Sequence, residues 1–367
     1  MTPSFTVDAP AALADLAAFD AIIDVRSPAE FADDHLPGAV NWPVLDNEQR
    51  RIVGTLYAAS PFEARKIGAA LVARNIAAHL DAHSADLTRH WRPLVYCWRG
   101  GQRSGAMNWF LGQVGFKARQ LEGGYKAYRT EVRNALLTQP AAFDLHVICG
   151  RTGSGKTRLL QALAAEGAQV LDLEALARHR GSVLGGLPDA PQPSQKGFDS
   201  LLWQQFRTLD PARPVWVESE SRKIGQLRVP ESLHSHMRQT PHCYWLAMPD
   251  AARVELLLSE YGHFAADVDG FCSQLDALIA LRGRDTVNRW QAQAHAGEWA
   301  GLFGELMRDH YDPGYERSLR GHYPEIDQAQ QLVLADAGLE SLQGLARQLV
   351  GSPNASPIAS PLTRNPA

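Results

Sequence analysis

The run Cys97-Trp98-Arg99-Gly100-Gly101-Gln102-Arg103-Ser104 sets a thiol at the head of a glycine-rich loop between two guanidinium groups. An apolar stretch, Pro93-Leu94-Val95-Tyr96, precedes it and a helical pattern from Ser104 to Gly115 follows it. A loop between a strand and a helix turns several backbone N–H groups into one cup at the positive end of the helix dipole. Arg99 and Arg103 add charge to that cup, and Gly100, Gly101 and Ser104 complete it. Such a cup stabilises an anion carried by the Cys97 sulfur. Two chemistries use this arrangement. The sulfur can carry a terminal sulfur or selenium atom as a persulfide-like anion. It can also attack a phosphate ester, for which C-x-x-G-x-x-R-S has the required residues. An inert buried cysteine would leave the glycine pair and the arginines without a purpose.

A second constellation is Gly150-Arg151-Thr152-Gly153-Ser154-Gly155-Lys156-Thr157, which matches G-x-x-x-x-G-K-[ST]. It follows the apolar run 143–149 and opens the helical pattern TRLLQALAAEG, the context a phosphate-binding loop requires. Backbone N–H groups of Gly150, Gly153, Ser154 and Gly155 would hold phosphate oxygens at a helix N-terminus. Lys156 would reach a terminal phosphate, and Thr157 would ligate Mg²⁺ where a metal is used. A carboxylate should end a neighbouring strand. Glu218, closing Pro-Val-Trp-Val-Glu, is the first choice and Glu220 the second. The competing reading pairs Glu218 with Arg222 or Lys223.

The elements that position these loops follow from the apolar pattern. Ala21–Val25, Pro93–Cys97, Phe143–Cys149, Pro214–Glu218 and His242–Leu246 read as strands. Residues 62–80 have helical periodicity. Alternating strands and helices predict parallel α/β sheets. A linker near Leu137–Pro140 divides the 367 residues into a domain over 1–138 and another over 139–350. The second is mostly helical from about 250 onward. The Pro- and Ser-rich residues 351–367 read as a disordered tail.

Composition narrows the class. Hydrophobic residues make up 45% and charged residues 21%, which excludes a wholly disordered chain, a collagen-like repeat and a coiled-coil rod. No apolar run approaches the roughly 18–20 residues of a membrane span. MTPSFTVDAPAAL lacks the basic start of a secretory signal. The four cysteines, 97, 149, 243 and 272, have neither metal spacing nor a disulfide framework, so the cytoplasm is the expected compartment. Cys149 reads as a small strand residue, and Cys243 and Cys272 as core. The net charge of −4 argues against a general nucleic-acid binder, but its distribution is uneven. Residues 1–50 carry −7, whereas residues 89–133 carry +7 from nine bases and two acids.

Upstream residues separate the two cysteine chemistries. Asp24-Val25-Arg26-Ser27-Pro28-Ala29-Glu30-Phe31, His35-Leu36-Pro37-Gly38-Ala39-Val40-Asn41-Trp42-Pro43 and Leu121-Glu122-Gly123-Gly124-Tyr125 resemble the rhodanese pattern. A phosphatase would usually carry His where Tyr96 stands. Asp24, Arg26 and His35 then read as scaffold. A rhodanese-like parallel-sheet domain followed by a P-loop NTPase-like α/β domain with a helical C-terminal part is an uncommon pairing. To about residue 350 the chain resembles the bacterial tRNA 2-selenouridine synthase family. Beside the two loops, the resemblance rests on His179-Arg180-Gly181-Ser182, Gln192–Lys196, Glu218–Gly225 and His310-Tyr311-Asp312-Pro313. Only the tail and the loop at 81–90 look individual to this chain.

That resemblance implies a tRNA substrate whose wobble uridine carries a 2-thio group. The enzyme attaches a geranyl group from geranyl diphosphate to that sulfur. It then replaces the geranylthio group with selenium from selenophosphate. Cys97 would carry selenium, and the P-loop would hold the diphosphate. The resemblance implies no firmly bound cofactor, no structural metal and no membrane partner; a monomer is expected. The Gly/Pro-rich segment 181–197 would be a lid or a tRNA contact. Trp98, Trp109, Tyr125 and Tyr128 stand among the basic residues, and two of the four should pack in the core. Three rivals rest on the individual signatures: a sulfurtransferase fused to an ATP-using kinase-like domain, a regulatory docking module, and a phosphatase. If the +7 segment receives the tRNA, binding measured by filter retention should weaken steeply between 50 and 200 mM salt, by orders of magnitude (roughly 10³–10⁵ for 6–10 phosphate contacts).

Overall fold

The computed structural model describes residues 5–182, 184–186, 190–315, 317 and 326–351. The tail expected to be disordered falls, from 352 onward, outside the described residues, whereas Gly351 closes the helix Leu339–Gly351. The chain forms two compact units. The first comprises residues 1–137 and Pro193–Arg207, and the second comprises Thr138–Gln192 and residues 208–367.

The first unit is built on a five-stranded sheet. Its strands are β1 (Thr6–Val7), β2 (Ala21–Asp24), β3 (Ala39–Asn41), β4 (Pro93–Tyr96) and β5 (Arg119–Leu121). They lie in the order β1-β5-β4-β2-β3, and each pairing is parallel. All four residues of β4 are buried, as expected for a central parallel strand covered on both faces. The chain leaves β2 for β3 on one side and β4 for β5 on the other. The strand order thus reverses at the β2–β4 boundary, and ligands collect at the carboxyl ends of strands at such a point. Cys97 is the residue that follows β4. The helix Pro28–Asp33 starts with a capping box, in which the Ser27 N–H donates to Glu30 Oε2 at 3.1 Å.

The second unit repeats the principle. It contains β6 (Leu145–Cys149), β7 (Gln169–Leu171), β8 (Val215–Glu218), β11 (Cys243–Ala247) and β12 (Gln330–Val333). Their order is β12-β11-β6-β8-β7, all parallel, while β9 (Lys223–Ile224) and β10 (Leu227–Arg228) form a small antiparallel hairpin. The reversal falls at β6, which feeds the phosphate loop. Among the described residues the region after 250 is mostly helical, as expected, up to β12, a strand that the apolar pattern did not mark and that forms a sheet edge. Its helices surround an aromatic core that includes Phe271, Trp290 and Phe303. Among the described residues no helix is long and apolar enough to cross a membrane.

The segment Pro193–Arg207 joins the first unit through specific contacts. Arg129 donates to the Asp199 carboxylate at 2.8 Å, to Ser200 Oγ at 3.0 Å and to the Lys196 carbonyl at 3.0 Å. Trp203 is buried edge-on against Tyr128, with ring centroids 5.5 Å apart. Lys196 is ion-paired with Asp33 at 2.6 Å. Replacing Trp203 with Ala in the full chain should therefore destabilise the first unit by about 3–5 kcal/mol, measured by urea unfolding followed through signals from residues 5–137.

Candidate functional site

In the first unit, Cys97 is a free, buried thiol. Ser104, in the helix Gln102–Val114, donates its hydroxyl to Cys97 Sγ at 3.1 Å. Gln120 Nε2 donates to the Gly100 carbonyl at 2.5 Å and to Ser104 Oγ at 3.1 Å. The Gly123-Gly124 turn clamps the loop from the far side. The Tyr125 N–H donates to the Cys97 carbonyl at 2.8 Å, and the Lys126 N–H to that of Trp98 at 3.0 Å. Gly124 has φ +56°, and a Cβ there would lie 2.3 Å from the Cys97 carbonyl oxygen. Only glycine permits that approach.

The charges around Cys97 differ from the expectation. Arg99 is exposed, but Arg103 is turned to Glu30, with 2.9 Å between them, so its charge is shared with a helix cap. Arg92 pairs with Asp20 at 2.9 Å and Arg129 with Asp34 at 3.4 Å. Three of the nine bases of 89–133 thus meet acids of the first 50 residues. Arg99, Lys117, Lys126 and Arg133 stay exposed. Tyr125 and Tyr128 are buried, whereas Trp98 and Trp109 are exposed.

Asp24, Arg26 and Asp34 form a buried polar frame behind the loop. Arg26 donates to both Asp24 oxygens and, at 2.6 Å, to the Asp34 carbonyl. Its guanidinium lies 3.9 Å above the Tyr125 ring, whose hydroxyl donates to Asp34 at 2.8 Å. Burial opposes the Arg26 charge, yet the Asp24 carboxylate outweighs it and holds its pKa above the ordinary value. His35 stacks on Phe31, with ring centroids 3.9 Å apart, and meets the Phe31 carbonyl at 2.9 Å. These side chains tie loops together.

In the second unit, the phosphate loop connects β6 to the helix Lys156–Ala165, with Gly155 as its N-cap. Lys156 folds back and donates to the Gly150 carbonyl at 2.9 Å, and its ammonium lies 5.1 Å from the Tyr315 ring centroid. The Gly150 N–H donates to Tyr315 Oη at 3.2 Å, and Ser219 meets the same hydroxyl at 2.7 Å. Thr157 Oγ1 lies 3.0 Å from Glu174 Oε2 and 3.1 Å from Glu218 Oε2, and its single hydrogen can serve only one of them at a time. Arg222, a proposed partner of Glu218, is paired with Glu231 instead, at 3.2 Å.

Glu174, Glu218 and Glu220 bring carboxylate oxygens within 4.8 Å of one another. Burial, and then mutual repulsion, pushes Glu218 well above the usual carboxylate range and Glu220 up to about 8. Burial raises Glu174 to about 7 against the pull of Lys156. Glu218 is fully buried, and its Oε1 has no hydrogen-bond partner among the described residues. Three acids, one of them with an orphaned buried oxygen, and a hydroxyl are the donor set of a hard divalent cation such as Mg²⁺.

Arg253 supports the loop from beneath. It is buried, donates to the Thr152 carbonyl at 2.7 Å and 3.0 Å, and pairs with Asp312 at 2.6 Å. Asp312 follows the π-helical turn Leu306–Tyr311, a geometry frequent at functional sites. Gln192 and His179 close on the turn at Gly225, where a Cβ would come within 2.2 Å of Gln192 Oε1 and 2.8 Å of the His179 ring. A cleft of about 730 Å³ opens over the phosphate loop. Its lining includes the cations Lys156, Arg180 and Arg282 and the apolar side chains Leu257, Tyr261 and Leu281. Beneath the loop, Cys149 and Cys243 bring their sulfurs to 3.3 Å, with Cys149 buried and Cys243 half-buried rather than fully in the core.

Two family models match the chain: a rhodanese-like domain over residues 8–131, and the AAA domain of tRNA 2-selenouridine synthase over residues 143–276. The chain is 39% identical to the tRNA 2-selenouridine synthase of Nitrosomonas europaea, over 65% of this chain and 63% of that protein. It is 37% identical to that of Nitrosomonas eutropha, over 71% and 65%. These matches span just under two thirds of those relatives' length. It is 31% identical to that of Marinobacter nauticus, over 83% of this chain and 90% of that protein.

The carboxylate cluster gives a pH signature. Glu174 and Glu220 hold protons in the folded chain up to about 7 and about 8, against 4.5 as ordinary carboxyls. The folded state therefore binds more protons across this window, so these two groups lose stability as pH rises through it. Melting temperatures without divalent cation should fall from pH 5 to pH 8.5, and Mg²⁺ should restore them increasingly at the alkaline end. A Mg²⁺ effect independent of pH would disprove the assignment.

Proposed function

Because this chain belongs to the tRNA 2-selenouridine synthase family, we propose that it replaces the 2-thio group of a tRNA wobble uridine with selenium, through a geranylated intermediate. The observation that carries this reading is the presence in one chain of a free thiol in a clamped rhodanese loop and a phosphate loop beneath a part-apolar cleft. The first step is prenyl transfer from geranyl diphosphate. The thiocarbonyl sulfur attacks C1 of the geranyl group, the C1–O bond breaks, and diphosphate leaves with the electron pair. Backbone N–H groups of the phosphate loop and the Lys156 ammonium receive the charge that develops on the leaving oxygens. Lys156 exchanges the Gly150 carbonyl for phosphate oxygens. Thr157, Glu174 and Glu218 are the residues that would hold Mg²⁺, which when bound would neutralise part of the diphosphate charge.

The geranyl chain runs along the apolar wall of the cleft, past Leu257, Tyr261 and Leu281. Leu281 is 68% exposed and so is accessible to an apolar chain in the cleft. The second step uses Cys97. The selenium of selenophosphate attacks C2 with its electron pair, the C2–S bond breaks, and water takes the phosphoryl group from selenium as phosphate; Cys97, the loop amides and the Ser104 hydroxyl hold the anionic selenium donor for that attack. Thioether formation has by then turned the C2 sulfur into a competent leaving group, which departs as geranylthiolate. On this reading ATP hydrolysis is not needed.

Nucleoside mass spectrometry on tRNA treated with purified variants tests the assignment. Cys97→Ala should keep S-geranyl-2-thiouridine formation and lose 2-selenouridine. Lys156→Ala should slow geranylation by about 10²-fold or more. Leu281→Asp should raise the KM for geranyl diphosphate and leave the fold unchanged. Selenouridine formed by Cys97→Ala would overturn the role of that residue. Nucleotide hydrolysis coupled to thiosulfate turnover, with no need for tRNA, would overturn the whole reading.

A further inference from the structure

The sheet of the second unit has a second polar cluster at its other end. β6 carries the phosphate loop at its C-terminal end, and just before and within its N-terminal end stand Asp144 and His146. His242 precedes the adjacent β11. The strand between the two ends spans five residues, roughly 17 Å at about 3.3 Å per residue, so this cluster takes no part in phosphate chemistry.

The three side chains converge. Asp144 Oδ2 lies 3.4 Å from His146 Nε2, and Asp144 Oδ1 lies 3.6 Å from His242 Nε2. One ligand atom of each lies within 4.8 Å of the other two. The imidazole rings stack with centroids 4.4 Å apart. The backbone fixes the arrangement, because the Val147 N–H donates to the His242 carbonyl at 2.8 Å and Thr240 Oγ1 to the Leu145 carbonyl at 2.6 Å.

Ion pairing explains these distances poorly. Charge-assisted N–H···O bonds measure about 2.7–2.9 Å, and both contacts are longer. A neutral imidazole is a metal ligand. Donors about 2.0–2.2 Å from a tetrahedral ion stand about 3.3–3.6 Å from one another, and the two contacts of Asp144, 3.4 Å from Oδ2 to His146 and 3.6 Å from Oδ1 to His242, fall in that range. His146 is also oriented as a ligand would be. Its Nδ1 meets the Tyr244 hydroxyl at 3.1 Å, which leaves Nε2 to face the carboxylate. His242 and Asp144 are 40% and 50% exposed, so an ion can enter from solvent.

We propose that Asp144, His146 and His242 form a binding site for one divalent transition-metal ion of the zinc class, with a fourth position open to water. Two imidazoles and one carboxylate suit Zn²⁺ or Fe²⁺ and not Mg²⁺. The ion would bridge the starts of β6 and β11 and so brace the strand that carries the phosphate loop.

The full-length chain, free of any oligohistidine tag and stripped by a chelator, is titrated with Zn²⁺ against a chromophoric competitor. One equivalent should bind per chain. His242→Ala and Asp144→Ala, both at half-exposed positions, should weaken binding by at least about 100-fold, and Tyr244→Phe by about 10-fold. Glu220→Gln should leave it unchanged. Co²⁺ in place of Zn²⁺ should give visible d–d bands without a thiolate charge-transfer band. Uptake below one equivalent, affinity unaltered in His242→Ala, or a thiolate band that assigns the ion to Cys149 and Cys243 would overturn the proposal. Melting curves of each variant without metal separate loss of ligand from loss of fold.

Discussion

Three carboxylates share one pocket with Lys156, and the second unit is arranged around that excess of negative charge. Glu218 is fixed by its place at the end of β8, level with Ile148 of the neighbouring strand. Glu174 enters from the short helix after β7, and Glu220 from the turn after β8. Carboxyls this close cannot all ionise in a poorly hydrated site unless a cation joins them. The phosphate loop above them has the opposite need, since its amides and Lys156 suit an anion. Under the proposed function, a diphosphate and a divalent cation would answer both needs at once. Arg253 serves the same arrangement at a distance, with Asp312 on one side and the Thr152 carbonyl on the other.

The first unit balances charge differently. Its acidic beginning and its basic middle looked like separate surfaces. Asp20, Glu30 and Asp34 instead consume part of the basic segment. What stays exposed is a smaller set, with Arg99 next to the cysteine loop and Lys126 on the turn that clamps it. Rigidity there comes from a buried guanidinium between Asp24 and the Tyr125 ring. The loop that presents Cys97 is thus backed by groups unable to relax without uncovering charge.

Both chemical loops were legible in the sequence because each is written in one continuous stretch. Cys97 with its glycines, and Gly150–Thr157, need only a strand before and a helix after. Glu218 was legible for a related reason, since it closes an apolar run. Glu174, Arg253 and Tyr315 were not, because each reaches the phosphate loop across a gap in sequence that no local pattern records. The helix Asn47–Ala59 escaped as well; it has no buried residue. Strand β12 is four residues long, with one buried, and lies in a region dominated by helical periodicity. Nothing in Gln195–Thr208 marks a helix that packs with residues far upstream, since its own pattern is an ordinary amphipathic one. Arg103 shows the limit of reading charge from position, because its partner Glu30 stands 73 residues away.

The inclusion of Pro193–Arg207 in the first unit also bears on how the chain is made. A ribosome releases residues in order, and the five strands of the first sheet have all emerged once Leu121 is out. The face that holds Tyr128 and Arg129 has no cover until Trp203 and Asp199 follow. At about 5–20 residues per second that interval lasts roughly 4–15 seconds. During it the nascent sheet carries an open aromatic flank while β6 and the phosphate loop are being extruded. The first unit therefore matures after part of the second has been synthesised, and its completion reports that translation has passed residue 207.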